Sequence, residues 1–335
     1  MKHQIISVAA WLIYFCSLTP GAWGDEYQTV AVFSEAPVYF LGSDNQRDIS
    51  NRVSLPPEGS YAAVTLTLTL DCPKGGQCDR WDRVGFIGAR DQQGRKIELV
   101  RFATPYGQGG TWTQDITDYL PLLRDEVTFD AFIDTWVGPG HGSGDGWLLS
   151  VDLTFVPGTL AQKPRRVIPV MNFDHVVYGD PKRPAIREMN VDMDQPHSHA
   201  KLITKITGHG QGNQDNCAEF CGKRHHLTIN GQDLSRFIWR DNCATSVDQN
   251  QRGNYFHSRA GWCPGDIAAP WTEALGELPV QSDPLEITYR VQDYVNSCRP
   301  DSDQCSHCVL GTGCNYDGGR HTEPVYKVSA HIILY

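Results

Sequence analysis

Apolar and polar positions alternate with a period of two along much of this chain. "VTLTLTL" puts Val64, Leu66, Leu68 and Leu70 on one face and threonines on the other. "VTFDAFID" sets Val127, Phe129, Ala131 and Ile133 against Thr128, Asp130, Phe132 and Asp134, and "LLSVDLTF" repeats the habit through Leu149, Val151, Leu153 and Phe155. Side chains on a strand point alternately to opposite faces, so each run reads as a half-buried strand. "LEITYRV" and "VYKVSAHIIL" supply late strands, and Asn230-Gly231 after "HLTI" signals a hairpin turn. Long amphipathic helices are missing, and Gly and Pro punctuate the short runs. The pattern predicts an all-β protein, sandwich or jelly roll, and the chain length suits two domains.

The boundary between them falls where strand-like sequence stops at Phe155, passes through "VPGTLAQKPRR" and resumes at "VIPVMNF". The expected domains are 25–160 and 165–335. Ahead of them, Lys2, the apolar run "IISVAAWLIYF" and "GAWG" make residues 1–24 a signal peptide cut after Gly24. Phe15 occupies the position before Cys16 where a lipoprotein signal needs a small residue. No later stretch is long and apolar enough to span a bilayer. The expected mature protein is therefore secreted or periplasmic, with no membrane contact.

Charge narrows the partners. The chain carries 29 basic and 39 acidic residues, a net charge of −10, with no basic run. Phosphate binding needs clustered Lys and Arg, so no nucleic-acid partner is expected. There is no G-x-S-x-G and no phosphate-loop pattern. Nothing demands more than a monomer.

Beyond the signal the cysteines are Cys72, Cys78, Cys217, Cys221, Cys243, Cys263, Cys298, Cys305, Cys308 and Cys314. An even number in an exported chain reads as disulfides. The spacing suggests local pairs, Cys72 with Cys78, Cys217 with Cys221 and Cys243 with Cys263. The last four form two further disulfides or, given C-x-x-C spacing at Cys305 and Cys308, a structural zinc site.

Four segments gather acids or guanidinium groups beside tryptophan or cysteine. "CDRWDR" sets Asp79, Arg80, Trp81, Asp82 and Arg83 behind Cys78. It is either a surface loop of salt bridges or a carboxylate and guanidinium on an aromatic wall. "NCAEFC" confines Glu219 between two cysteines. "FIDTWVG" puts Asp134 on the face shared by Phe132 and Trp136, ahead of a glycine-rich loop, 138–146, that reads as a lid or as a plain connection. "HSRAGWCPGD" adds Arg259, Trp262 and Cys263. Aromatic faces stack on sugar rings and acids bind hydroxyls, so together the four suggest a carbohydrate-directed site.

The histidines suggest a different chemistry. His197 and His199 face the same way on a strand, and His209 and the adjacent His225 and His226 add imidazoles. Such pairs suit copper or zinc, and some copper monooxygenases are built from two jelly rolls, often with a Met ligand. Met171, Met189 and Met193 remain after signal removal. The competing reading puts these histidines on a solvated or binding face.

In this order the segments resemble the bacterial secreted peptide:N-glycosidase F family. The resemblance runs through "DCPKGGQCDRWDR", "RFATPYG", "DITDYLPLL" and "DTWVG", then "VIPV", "ITGHG", "NCAEFC", "TING" and "RAGWCPG". It implies two eight-stranded jelly rolls with the active site at their interface. The implied activity is hydrolysis of the amide between Asn and the first N-acetylglucosamine of an N-linked glycan, without metal or other cofactor. The partners would be N-glycosylated proteins or glycopeptides. The family's principal catalytic aspartate falls on Asp82, its second carboxylate on Glu219 and its third acidic position on Asp134, where the best-known enzyme has a glutamate. Substrate-orienting arginines fall on Arg83 and Arg259. Aromatic walls fall on Trp81, Trp136 and Trp262, and His209 replaces a further tryptophan. The shortened acid at 134 and the smaller ring at 209 leave a weakened, glycan-binding relative as the alternative within the same fold.

Overall fold

The computed structural model describes residues 27–180, 182–192, 197–210, 218–278, 284–294, 315–316, 319–320 and 323–335. The signal-peptide reading, Cys217 and the four last cysteines lie outside the described residues.

The first half contributes eight main strands: β1 Gln28–Val38, β2 Asp48–Ser54, β3 Tyr61–Asp71, β4 Val84–Arg90, β5 Lys96–Ala103, β6 Gly110–Asp115, β7 Glu126–Ile133 and β8 Trp147–Pro157. They form two antiparallel sheets, ordered β1-β8-β3-β6 and β5-β4-β7-β2. The alternating runs drive the register. Leu70, Leu68, Leu66 and Val64 of β3 stand directly opposite Leu149, Val151, Leu153 and Phe155 of β8, and all eight are fully buried. Such matched apolar pairs fix register, because a one-residue slip would turn the whole set to solvent.

The second half repeats the plan with β9 Arg166–Val177, β10 Ile186–Val191, β11 His197–His209, β12 Lys223–Ile229, β13 Gln232–Ile238, β14 Trp271–Leu278, β15 Leu285–Val291 and β16 Val325–Leu334. The sheets run β9-β16-β11-β14 and β10-β15-β12-β13. Between β12 and β13, Asn230 and Gly231 both take positive φ, +45° and +82°, as a two-residue primed turn requires. The fold is all-β, with two antiparallel sandwiches in sequence.

The sandwiches meet through the β5-β4-β7-β2 sheet and the β9-β16-β11-β14 sheet. Phe86 stacks on Phe132, and Phe173 packs tilted and edge-on against this pair across the seam. A two-residue strand, Asp266–Ile267, leaves the second half to pair with β5. Beside the phenylalanines lies a buried polar core. Arg101 makes a two-pronged ion pair with Glu98 and donates to Thr207, Ser329 and the carbonyls of Lys205 and Lys327. The Lys205 ammonium binds the Glu98 carbonyl and the Tyr119 hydroxyl. These groups bind the two halves to each other.

Candidate active site

Strand ends decide what converges. β4 begins at Val84 opposite Ala103, the last residue of β5, and Gly85 lies opposite Ile133, the last residue of β7. Residues just before β4 and just after β5 and β7 therefore emerge at one end of the sheet. These are Asp82 and Arg83, Tyr106, and Asp134 to Trp136. From the facing sandwich, Glu219 is delivered by backbone bonds. Its N–H donates to the Gly210 carbonyl and its own carbonyl accepts from Ala260. Arg259 sits on an isolated bridge with Arg240. The Cys243–Cys263 disulfide closes the segment that carries it, and the Cys72–Cys78 disulfide anchors the loop that carries Asp82.

Arg259 is the centre. Its side chain is 1% exposed, against 15% for Asp82 and 17% for Glu219. Nη2 reaches Asp82 Oδ2 at 3.3 Å and Nε reaches Glu219 Oε1 at 3.3 Å. One guanidinium thus bridges an acid from each sandwich. Nη1 donates to the His257 carbonyl, and Nη2 shares its two protons among Asp82, the Asn254 carbonyl and the Tyr106 hydroxyl. Trp262 and Phe220 lie against the guanidinium, with ring centroids 4.9 and 5.2 Å away.

Burial and mutual repulsion set the protonation of the acids. Burial raises the Asp82 pKa, with Arg259 and the Tyr106 hydrogen bond opposing. Burial, then the Asp82 charge, pushes Glu219 up to about 7, with Arg259 opposing. The two acids form one coupled system holding a proton near neutrality. Burial and the neighbouring Asp82 also hold the Tyr106 phenol in its neutral form. Such a constellation can give and take a proton beside a fixed positive charge.

The other predicted positions divide. Trp81, in the Asp82 loop, and Trp136, beyond the β7 end, are 48% and 52% exposed, with Arg80 over the first ring at 5.1 Å and Arg47 over the second at 4.3 Å. Trp262 is not a wall. It is buried, donates its indole N–H to the Gly208 carbonyl at 2.8 Å, and backs Arg259. His209 stacks on Trp262 at 5.2 Å and bonds Thr207, and burial holds its pKa well below the usual range. Asp134 does not join the bridged pair. It faces Arg47 at 3.4 Å, whose guanidinium packs against both Phe40 and Trp136, two rings that meet edge-on. The Arg83 Nε donates to Asp79 at 2.7 Å, and Arg83 lowers the Asp82 pKa only through its charge.

Loop 138–146 is not built as a lid. Asp145 accepts from the N–H groups of Gln77 and Gly140, and Asp79 and Arg80 donate to the carbonyls of Gly146 and Ser143. The loop buttresses the segment that holds Asp82. The adjacent imidazoles of His225 and His226 also come apart. His225 is buried against Tyr289 and Tyr326, whereas its neighbour His226 turns to Asp233 on the opposite face. Adjacent strand residues cannot both ligate one ion from a single face. Among the described residues no group of three or more His, Cys, Asp and Glu side chains is arranged to hold a metal. Tyr106 and Arg47 are the neighbours of the acids that the motifs did not mark.

These features define a class: a double β-sandwich with paired acids bridged across its seam. Two family models match the chain, "Peptide-N-glycosidase F, N terminal" over residues 84–155 and "Peptide-N-glycosidase F, C terminal" over residues 178–311. The chain belongs to the peptide-N-glycosidase F family. It is 28% identical over 272 residues to peptide-N(4)-(N-acetyl-beta-D-glucosaminyl)asparagine amidase F of Elizabethkingia miricola, covering 73% of this chain and 74% of that protein. The solved structure of PNGase F, a glycosylasparaginase from Flavobacterium meningosepticum, matches with a TM-score of 0.74 at 22% identity, covering 92% of this chain and 96% of that one. PNGF-II matches with a TM-score of 0.68 at 18% identity, over 92% of this chain and 65% of that one.

Proposed function

We propose that this protein is a peptide-N(4)-(N-acetyl-beta-glucosaminyl)asparagine amidase. It hydrolyses the side-chain amide between Asn and the first N-acetylglucosamine of an N-linked glycan. Asparagine becomes aspartate, and the glycan leaves as a glycosylamine that then loses ammonia. The observation that carries this reading is the buried Arg259 guanidinium joining Asp82 of one sandwich to Glu219 of the other. Family membership supports it.

Asp82 acts as general acid/base at the reacting amide, and Glu219 positions or activates water from the facing sandwich. Arg259 stabilises negative charge developing on the amide oxygen, with Arg83 adding positive potential. Trp81 and Trp136 take sugar rings, and Asp134 binds sugar hydroxyls. Trp262 and His209 serve by supporting Arg259 from behind. The substrates are N-glycosylated proteins or glycopeptides, met outside the cell or in the periplasm after the first 24 residues are removed.

Incubation with a denatured N-glycoprotein followed by mass spectrometry tests the reading. Expected is released glycan together with a gain of about 1 Da at the sequon, the mark of Asn-to-Asp conversion. Activity is expected to survive excess EDTA. Glycopeptide binding without release, or loss of release on chelation restored by copper, would overturn it.

A further inference from the structure

Asp79 belongs to the same short run as Asp82, and composition alone marks it as one more surface charge. The fold puts it elsewhere. Its side chain is fully buried, and its carboxylate accepts three hydrogen bonds. The Trp81 N–H donates to Oδ1 at 3.0 Å, while Arg83 Nε and the Thr135 hydroxyl each donate to Oδ2 at 2.7 Å. Its backbone is held too, N–H to the Gly146 carbonyl and carbonyl from the Gly107 N–H. Burying a carboxylate is costly unless its oxygens are satisfied, and a loop needing only to turn would use Gly, Asn or Ser.

The three donors share an address. Trp81 and Arg83 flank Asp82, and Thr135 lies between Asp134 and Trp136. One carboxylate therefore ties the loop bearing Asp82 to the β7 end bearing the second aromatic face. It also offsets the Arg83 charge beside Asp82. Thr104 completes the clamp, accepting from the Arg83 N–H at 2.9 Å and donating to the Trp81 carbonyl at 3.2 Å.

We propose that Asp79 is a positioning residue, which holds Trp81, Arg83 and the 134–136 segment in fixed relation around Asp82 without touching substrate. The proposal rests on the amidase reading for its kinetic consequence only. The test compares Asp79→Asn, Thr135→Val and Thr135→Ser with wild type on an N-glycopeptide, together with thermal melting and amide hydrogen exchange. Asp79→Asn keeps the volume but turns an amide NH2 toward the Trp81 N–H or the Arg83 Nε, which can only donate. A misplacement near 1 Å predicts a kcat roughly a hundredfold lower. Thr135→Val loses one hydrogen bond and about tenfold in kcat. KM rises alongside the fall in kcat in both variants, because the displaced Trp81 and 134–136 segment bind sugar, and Thr135→Ser restores both. The Trp81 amide exchanges faster in Asp79→Asn, while strand β3 keeps its protection. Wild-type kcat in Asp79→Asn, or a rate loss matched by loss of folded protein, overturns the proposal. If wild type itself releases no glycan, the amidase reading fails, and unchanged exchange at Trp81 would separately overturn the holding role.

Discussion

At the scale of the residue, the acid pair exchanges stability for chemistry. Glu219 titrates at about 7 in the folded chain, above the ordinary 4.5, because burial and the Asp82 charge disfavour its anion. A raised carboxyl binds its proton more tightly in the folded state. Its cost to stability is absent below about 4.5, grows as pH rises, and is complete above about 7. Glu219→Gln removes that cost while abolishing glycan release. Urea unfolding at pH 4 and pH 8 should show the variant gaining on wild type by about 3 kcal/mol between the two. A difference that stays constant with pH would refute it. Asp82→Asn removes one of the two causes, so the Glu219 carboxyl should titrate lower, as read by carbon-13 NMR. These two acids and Arg259 were legible because each sits in a distinctive motif with Trp or Cys. Tyr106 was not, since one tyrosine among thirteen carries no local mark of what it will touch. The role of Asp79 is hidden for the same reason: burial is a property of the fold, and "CDRWDR" shows only charge.

At the scale of the element, alternation made the strands legible and left the loops ambiguous. β3 and β8 declare their buried faces because every second residue is apolar. A glycine-rich loop has no comparable pattern, so lid and buttress read alike at 138–146. What separates them is Asp145, whose carboxylate fixes two N–H groups across the loop. Gly144 shows how close the two segments lie. Its φ is +125°, and a Cβ there would stand 2.3 Å from the Cys78 carbonyl oxygen and 2.8 Å from the Asp79 Cα. Gly144→Ala must strain its backbone and push the 78–83 segment away, so about 1–3 kcal/mol of stability should be lost. The rate should fall further than the folded fraction does, because the displaced segment carries Asp82. Chemical denaturation and glycopeptide turnover on the same preparation check this, and a variant with wild-type turnover would show that the loop does not hold the site.

At the scale of the whole molecule, the site exists only if the two sandwiches keep their relation, since Asp82 and Glu219 come from different halves. The buried seam supplies that relation. Its residues were hidden in the sequence because Arg101 and Lys205 occupy alternate positions on their strands, where polar side chains usually face water. Here the second sheet replaces the water. Arg101 is fully buried and Glu98 is 1% exposed, so neither charge can be hydrated if its partner goes. Lys205 is 4% exposed, and burial lowers its pKa to about 8. Arg101→Met alone strands the Glu98 carboxylate and should cost about 3–5 kcal/mol. Adding Glu98→Gln removes the stranded charge, so the double variant should recover part of that loss rather than add to it. Apolar replacement restores burial but not the directed bonds to Thr207, Ser329 and the Lys205 and Lys327 carbonyls. The double variant is therefore expected to melt between Arg101→Met and wild type and to turn over glycopeptide more slowly than wild type, as the sandwiches lose their fixed register. Additive stability losses, or a double variant with wild-type turnover, would mean that the aromatic contacts of Phe86, Phe132 and Phe173 hold the halves together without the polar seam.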